Sequence, residues 1–378
     1  MSVLTRLLAA CCLTVEVLLA GCSAARLPTN MPRPLLSYLG QFQVPFGATF
    51  EGTVIGGLSG ISYDAADQLY YVISDDRSKT GPARFYTVRL SLSDKGINDV
   101  TFTGTHPLLD VSGQPFGPLQ QDVAPPVVPP DPEGIAFDAA RQRLYWSSEG
   151  ERLTDSQPVL ADPWVRIANL DGSYLGQFTL PSNLAMSAQR SGPRRNRALE
   201  GLTLTPDGRS VFAAMEGPGY NDGPSNDDDH QVLTRITKFD VAAGAPTAQY
   251  AYPMEPADWP ADRNGVSDLV ALTDSTFLVL ERSSAAPPVV RIYRAEIGSA
   301  TDVSALPSVH GATLTPMTKS LAFDLSATPG MSPPQNPVDN IEGITLGPKL
   351  PDGRQSVVLV SDNNFSAAQV TQFLLFAM

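Results

Sequence analysis

Three Glu-Gly pairs, at Glu133, Glu200 and Glu342, each open a short apolar run, and the hairpin begun by each run ends on another acid. Carboxylates gathered in this way serve as general acid and base, or as ligands of a hard cation. Arg77, Arg152, Arg197 and Arg282 stand within a few residues of such acids, and the run RSGPRRNR, with Arg190, Arg194 and Arg195, directly precedes Glu200. Guanidinium forks match phosphate and carboxylate, so the combination suits an anionic substrate.

Strands must position these groups. The pattern recurs in LSGISYDAADQLYYVISDDRS from residue 58, PEGIAFDAARQRLYWSSEGER from 132, LEGLTLTPDGRSVFAAMEGP from 199, VSDLVALTDSTFLVLERS from 266 and IEGITLGPKLPDGRQSVVLVSDNNF from 341. Each copy is two apolar runs around a turn, hence a β-hairpin. Aligned on their third residue, or on the second of the Glu-Gly pair, Gly60, Gly134, Gly201, Asp268 and Gly343 follow one another by 74, 67, 67 and 75 residues. The position before them holds Ser59, Glu133, Glu200, Ser267 and Glu342. The closing acids are then Asp75, Glu149, Glu216, Glu281 and Asp362, after 15, 15, 15, 13 and 19 residues.

Runs such as LYYVIS, SVFAAM and VVLVS are apolar on both faces, as strands covered on both sides must be. A further strand pair follows each hairpin, and four strands repeated in this way make the blade of a β-propeller. An all-β propeller of five blades is expected, with PSVHGATLTPMTKSLAFDLS leaving room for a degenerate sixth. The fifth unit has only QVTQFLLFAM after its hairpin, while SYLGQFQVP near the start echoes SYLGQFTLP at 173–181. The first strand should therefore complete the last blade and close the ring.

In a propeller the innermost strands line a central channel, and the two ends of a hairpin lie on one face of the disc. The repeated acids should converge there and repel unless arginine or a cation offsets them. This places Glu200 and Glu216 as the catalytic pair, Glu133, Glu149, Glu342 and Asp362 as Ca²⁺ ligands, and Arg77, Arg195, Arg197 and Arg282 on the substrate's anionic group. A structural reading stands beside it: an acid present in every unit pairs with the next blade's arginine or backbone, and the glycine lets backbones approach at a crowded axis. Between the repeats, GYNDGPSNDDDHQ at 219–231 collects Asp222, Asp227, Asp228, Asp229 and His230. It reads as a Ca²⁺ loop without EF-hand spacing or as a solvated acidic insertion.

A net charge of −13 argues against a nucleic-acid partner, since counterion release needs a basic surface. All three cysteines fall at 11, 12 and 22, in a leader with Arg6, an apolar run and Leu19-Ala20-Gly21-Cys22. That ending resembles the lipobox of bacterial lipoproteins, with an ordinary secretory signal as the alternative. The expected organisation is a signal over 1–21, a tether over 22–35 lipidated at Cys22, and one domain over 36–378. The lipid would be the only membrane contact, on the outer membrane, and the mature chain would have no disulfide.

No Gly-x-Ser-x-Gly elbow is present, since GGLSG misplaces its glycines, and His106, His230 and His310 lack a triad context. Nor does the sequence carry a Walker loop, a zinc-type cluster of His or Cys, or an Arg-His-Gly phosphatase motif. An ester hydrolase here would use metal-assisted water.

The ordered set GISYD, YYVISDDRS, DPEGIAF, NRALEGLTLTPDGRSVFAAMEGP, NIEGITL and VVLVSDNNF resembles the phytase-like family, described as having esterase-like activity of phytase, over roughly residues 35–378. The resemblance implies hydrolysis of a small-molecule phosphate ester. The alternative is a non-catalytic propeller of the cell envelope that binds a ligand or a protein.

Overall fold

The computed structural model describes residues 35–225, 227, 229–256, 264–283, 288–328 and 338–378. The leader, Cys22 and nearly all of the tether lie outside the described residues, as does Asp228. No helix among the described residues is long and apolar enough to cross a membrane.

Five antiparallel four-stranded sheets form a five-bladed propeller. Blade one comprises β2 (Leu58–Asp64), β3 (Leu69–Ser74), β4 (Arg84–Ser93) and β5 (Gly96–Pro107). Blade two comprises β6 (Pro132–Asp138), β7 (Arg143–Ser148), β8 (Trp164–Ala168) and β9 (Tyr174–Gln177). Blade three comprises β10 (Leu199–Leu204), β11 (Ser210–Met215), β12 (Leu233–Asp240) and β13 (Ala245–Pro253). Blade four comprises β14 (Asn264–Ala271), β15 (Thr276–Ser283), β16 (Val290–Glu296) and β17 (Thr318–Asp324). Blade five comprises β18 (Ile341–Lys349), β19 (Gln355–Ser361), β20 (Thr371–Ala377) and, at its outer edge, β1 (Ser37–Val44).

The ends of the chain therefore share a blade, as the echo of SYLGQF implies, with Tyr38 opposite Phe376 and Phe42 opposite Phe373. Among the described residues there is no sixth blade. Thr318–Asp324 of the ambiguous segment form β17, and the residues before them run along the outside of blade three, where Val303 N–H donates to Gln249 O (2.8 Å) and Met317 N–H to Ala251 O (2.9 Å).

Apolar clusters fill the wedges between neighbouring blades. Along β11, Val211, Ala213 and Met215 pack with Tyr145, Val165 and Phe178 of blade two and its flank, whereas Phe212 and Ala214 pack with Phe277 and Val279 of blade four. Alternate side chains thus enter two different cores, which is why the run SVFAAM shows no apolar–polar alternation. Burying a side chain of this size is worth roughly 1.5–3 kcal/mol, so the wedges hold the disc together.

The inner strands β2, β6, β10, β14 and β18 close a ring in which each packs on the next. A Cβ added at Gly134 would lie 2.6 Å from Leu202 Cβ and 2.7 Å from Glu200 O. The glycine after the glutamate is therefore required by the close approach of two backbones.

Candidate active site at the channel mouth

Every inner strand carries an irregularity in its register at the Glu or Ser position: between Leu58 and Gly60, Pro132 and Ile135, Leu199 and Leu202, Val266 and Asp268, and Ile341 and Gly343. Bulges re-aim side chains, and these turn the first-position acids toward the channel. The closing acids are set by the return strand. Asp75, Glu149, Glu216 and Asp362 donate their N–H groups to Gly57, Asp131, Ala198 and Asn340, each three residues before a repeat glycine.

In blade four the same register pairs Gly265 with Arg282. The closing residue there is Arg282, and the expected Glu281 sits one place back. A one-residue step reverses the direction of a strand's side chain. Glu281 accordingly leaves the ring and accepts from Tyr252 Oη (2.7 Å), Asn264 Nδ2 (2.5 Å) and Lys319 Nζ (2.5 Å).

The remaining acids form three sets, within each of which one oxygen per carboxyl lies within 4.8 Å of the others: Asp131, Glu133 and Glu149; Glu149, Glu200 and Glu216; and Asp75, Glu342 and Asp362. The proposed Ca²⁺ ligands thus fall in two separate sets, Glu133 with Glu149 and Glu342 with Asp362. The catalytic candidates Glu200 and Glu216 share a set with Glu149. Asp131 escaped notice in the sequence, although extending the repeat alignment by three residues upstream reaches it. Asp75 stood among the closing acids without a role.

The partners of these oxygens are few. Ser59 Oγ donates to Glu133 Oε2 (2.5 Å), and Asn340 Nδ2 donates to Glu342 Oε1 (2.9 Å). Glu149 is 2% exposed. Its Oε1 accepts the Ala198 N–H (2.5 Å), while its buried Oε2 has no hydrogen-bond partner among the described residues.

Burial raises the pKa of Glu133, Glu149, Glu200 and Asp75 well above the usual carboxylate range, and neighbouring carboxyls add to the rise. Burial likewise lifts Asp131 and Asp362 to about 6 and Glu342 to about 8, although Arg77, Arg282 and local hydrogen bonds oppose it. Without a cation, then, part of this ring holds protons near neutral pH.

The arginines divide by position. Arg77 reaches Glu151 (2.8 Å) and Asp131 (3.4 Å), and Arg195 reaches Glu151 (2.9 Å) with 51% of its side chain exposed. Arg282 lies deeper, 3.0 Å from Glu342. Arg197 is buried in the wall, 3.6 Å from Glu216 and bonded to Asn264 O. Arg152 meets none of the closing acids: it donates to Ser187 O, Ala188 O and Gln189 O and lies over the Tyr220 ring, which Arg190 and Arg194 also flank. The run RSGPRRNR thus splits between the channel mouth and a stack on Tyr220, and Glu151, missed in the sequence, joins it to the mouth. In the 219–231 insertion Asp222 is unavailable to a cation, because Arg235 clamps both its oxygens at 2.7 and 2.8 Å.

A family model described as phytase-like, esterase-like activity of phytase, matches residues 53–365. No curated protein matches the chain. Solved structures that resemble it include a thermostable family-43 glycoside hydrolase, 12% identical, covering 88% of this chain and 91% of that one with a TM-score of 0.46. A gluconolactonase of Xanthomonas campestris is 11% identical over 85% and 86% of the two chains, with a TM-score of 0.35. A periplasmic gluconolactonase of Pseudomonas aeruginosa is 11% identical over 85% and 88%, also at 0.35. Likenesses this distant assign no role to the residues at the channel mouth.

Proposed function

The chain belongs to the phytase-like family, and from that premise we propose that it hydrolyses phosphoric esters at the mouth of the channel with the help of a divalent cation. The observation that carries the reading is Glu149, which belongs to two carboxylate sets and whose buried Oε2 has no partner among the described residues. Leaving such an atom unsatisfied is costly, and a hard cation such as Ca²⁺ satisfies several carboxylates at once. Asp131, Glu133 and Glu149 would hold it, and Asp75, Glu342 and Asp362 offer a second place.

When bound, the cation supplies positive charge that acidifies a water molecule and offsets the phosphate. Glu200, protonated because burial and nearby carboxyls raise its pKa, gives its proton to the leaving alcohol oxygen as the P–O bond breaks. Glu216 takes the proton of the attacking water, whose oxygen forms the new bond to phosphorus. Two carboxyls in one set thereby take opposite roles. Arg195 and Arg77 meet the phosphate at the mouth and Arg282 meets it deeper, reversing locally the repulsive field of a chain with charge −13. Arg197 orients Glu216 from the wall. The lipobox resemblance at Cys22 would place this activity in the cell envelope, tethered by lipid.

The ion pairs of Arg77, Arg195 and Arg282 favour a second reading, a non-catalytic propeller that binds an anionic ligand on the same face. The deciding experiment is a phosphatase and phytase assay on the chain from Cys22 onward, with Ca²⁺ or with EDTA. Turnover that needs Ca²⁺ supports the enzyme. Its absence on every phosphate ester, with Ca²⁺ demonstrably bound, leaves only the binding reading.

A further inference from the structure

Two of the three histidines, far apart in the chain, meet at the outer side of blade three. His230 lies near the end of the 219–231 insertion, and His310 lies in the connection from β16 to β17. Arg235 at the start of β12 ties the two segments together. It clamps Asp222 of the first and donates to Val303 O and Leu306 O of the second at 3.0 Å each, while Val309 N–H donates to Asp222 Oδ1 (3.0 Å). Gly223 leaves space for the His310 ring, since a Cβ there would lie 2.7 Å from His310 Nδ1.

Asp227 completes the group. Its Oδ1 is occupied by the N–H groups of Asp229 (2.9 Å) and His230 (3.2 Å). Its Oδ2 stands 3.4 Å from His230 Nδ1 and 3.6 Å from His310 Nδ1, with the two ring centroids 4.8 Å apart. Both separations exceed the roughly 2.7–3.2 Å of an N–H···O hydrogen bond. They fall within the edge lengths of a tetrahedron, about 3.3–3.6 Å, built on metal–ligand distances of about 2.0–2.2 Å.

Two imidazole nitrogens and one carboxylate oxygen suit Zn²⁺ or another late first-row metal and offer Ca²⁺ too few oxygens. We infer that Asp227, His230 and His310 form a site for a transition-metal ion such as Zn²⁺, separate from the carboxylate sets of the channel. The side chains of His230 and His310 are 52% and 35% exposed, which leaves the fourth position to water. Because the insertion begins three residues after Glu216, the ion would pin the segment leading out of the channel mouth to the outside of blade three. The sequence hides the site, because its nitrogens come from two segments that only the propeller brings together.

The test is metal binding by the chain from Cys22 onward in excess Ca²⁺, which saturates hard-cation sites, read as Co²⁺ visible absorption and as Zn²⁺ stoichiometry by equilibrium dialysis. The expected result is one Co²⁺ or Zn²⁺ per chain at micromolar concentration. The variants His310→Gln and Asp227→Asn should each weaken binding at least tenfold, and Zn²⁺ should raise the thermal midpoint of the parent but not of the His230→Gln/His310→Gln double variant. Circular dichroism reports whether that variant is folded. Unchanged stoichiometry and affinity in a folded double variant, or no binding by the parent at 100 µM metal, overturns the site.

Discussion

Replacing Glu149 by glutamine should stabilise the cation-free protein and weaken its response to Ca²⁺. Glu149 is 2% exposed, its Oε1 accepts the Ala198 N–H, and its Oε2 has no partner among the described residues. Burial, with Asp131 and Glu216 nearby, makes a charge there unfavourable. Glutamine keeps the acceptor for Ala198 and puts an amide donor where the orphan oxygen stands, facing carboxyls that accept it. A hydrogen bond to a charged group contributes about 1.5–3 kcal/mol, so E149Q should gain about 2 kcal/mol in EDTA at pH 8. Ca²⁺ at a hundred times the Kd of the Glu149 site stabilises the parent there by about 2.7 kcal/mol, a gain the variant lacks, so the order of stabilities reverses when the ion is added. Urea unfolding followed by tryptophan fluorescence measures both, with the buried Trp146 as reporter. A variant less stable than the parent in EDTA, or equal stabilisation of both by Ca²⁺, refutes the reasoning.

The remaining predictions concern the same ring. In EDTA, stability should fall by at least about 1 kcal/mol between pH 7 and 8, because a carboxyl lifted from 4.5 to about 8, as Glu342 is, contributes stability that is full below its unfolded pKa and lost as pH rises through its folded one, and the other raised carboxyls of the ring act in the same direction. His106, whose pKa burial lowers from 6.5, acts in the opposite direction and is spent by about pH 7, so urea midpoints that are flat or rising over this window would count against the protonated ring. Gly134→Ala should cost about 1–3 kcal/mol, since its Cβ meets backbone that cannot yield, while Gly117→Ala, with open space around it, should be near neutral. Equal thermal midpoints would show that the inner strands can spread. Arg195→Gln should raise KM for phosphate esters about tenfold, the loss of one charge-assisted contact, and leave folding intact because the side chain is half exposed. An unchanged KM removes Arg195 from the anion site.

Much of the architecture was legible in the chain. The repeat, the four strands per unit and the completion of the last blade by the first strand all follow from apolar runs and turns that act over a few residues. The glycines after Glu133, Glu200 and Glu342 also read correctly as points of close backbone approach. The composition of the site was legible only in part. Glu149, Glu200 and Glu216 do meet, but Asp131 and Glu151 were missed, Arg152 turned to Tyr220, and Glu281 gave up its place to Arg282. That last exchange is a single step of register: the bulge is common to all five blades, but the hairpin of blade four is one residue shorter than that of blade one, so Arg282 and not Glu281 comes opposite Gly265.

The sequence by itself determined the four-strand repeat and how the ring closes, because hydrophobic period and turn chemistry are local properties of the chain, while the choice of five blades over six waited for the structure. Tertiary structure alone decided which acids share a set, which arginines reach them, and that His230 meets His310. Those outcomes depend on strand register at the axis and on the path of long connections around the rim, where residues far apart in sequence compete for the same few ångströms.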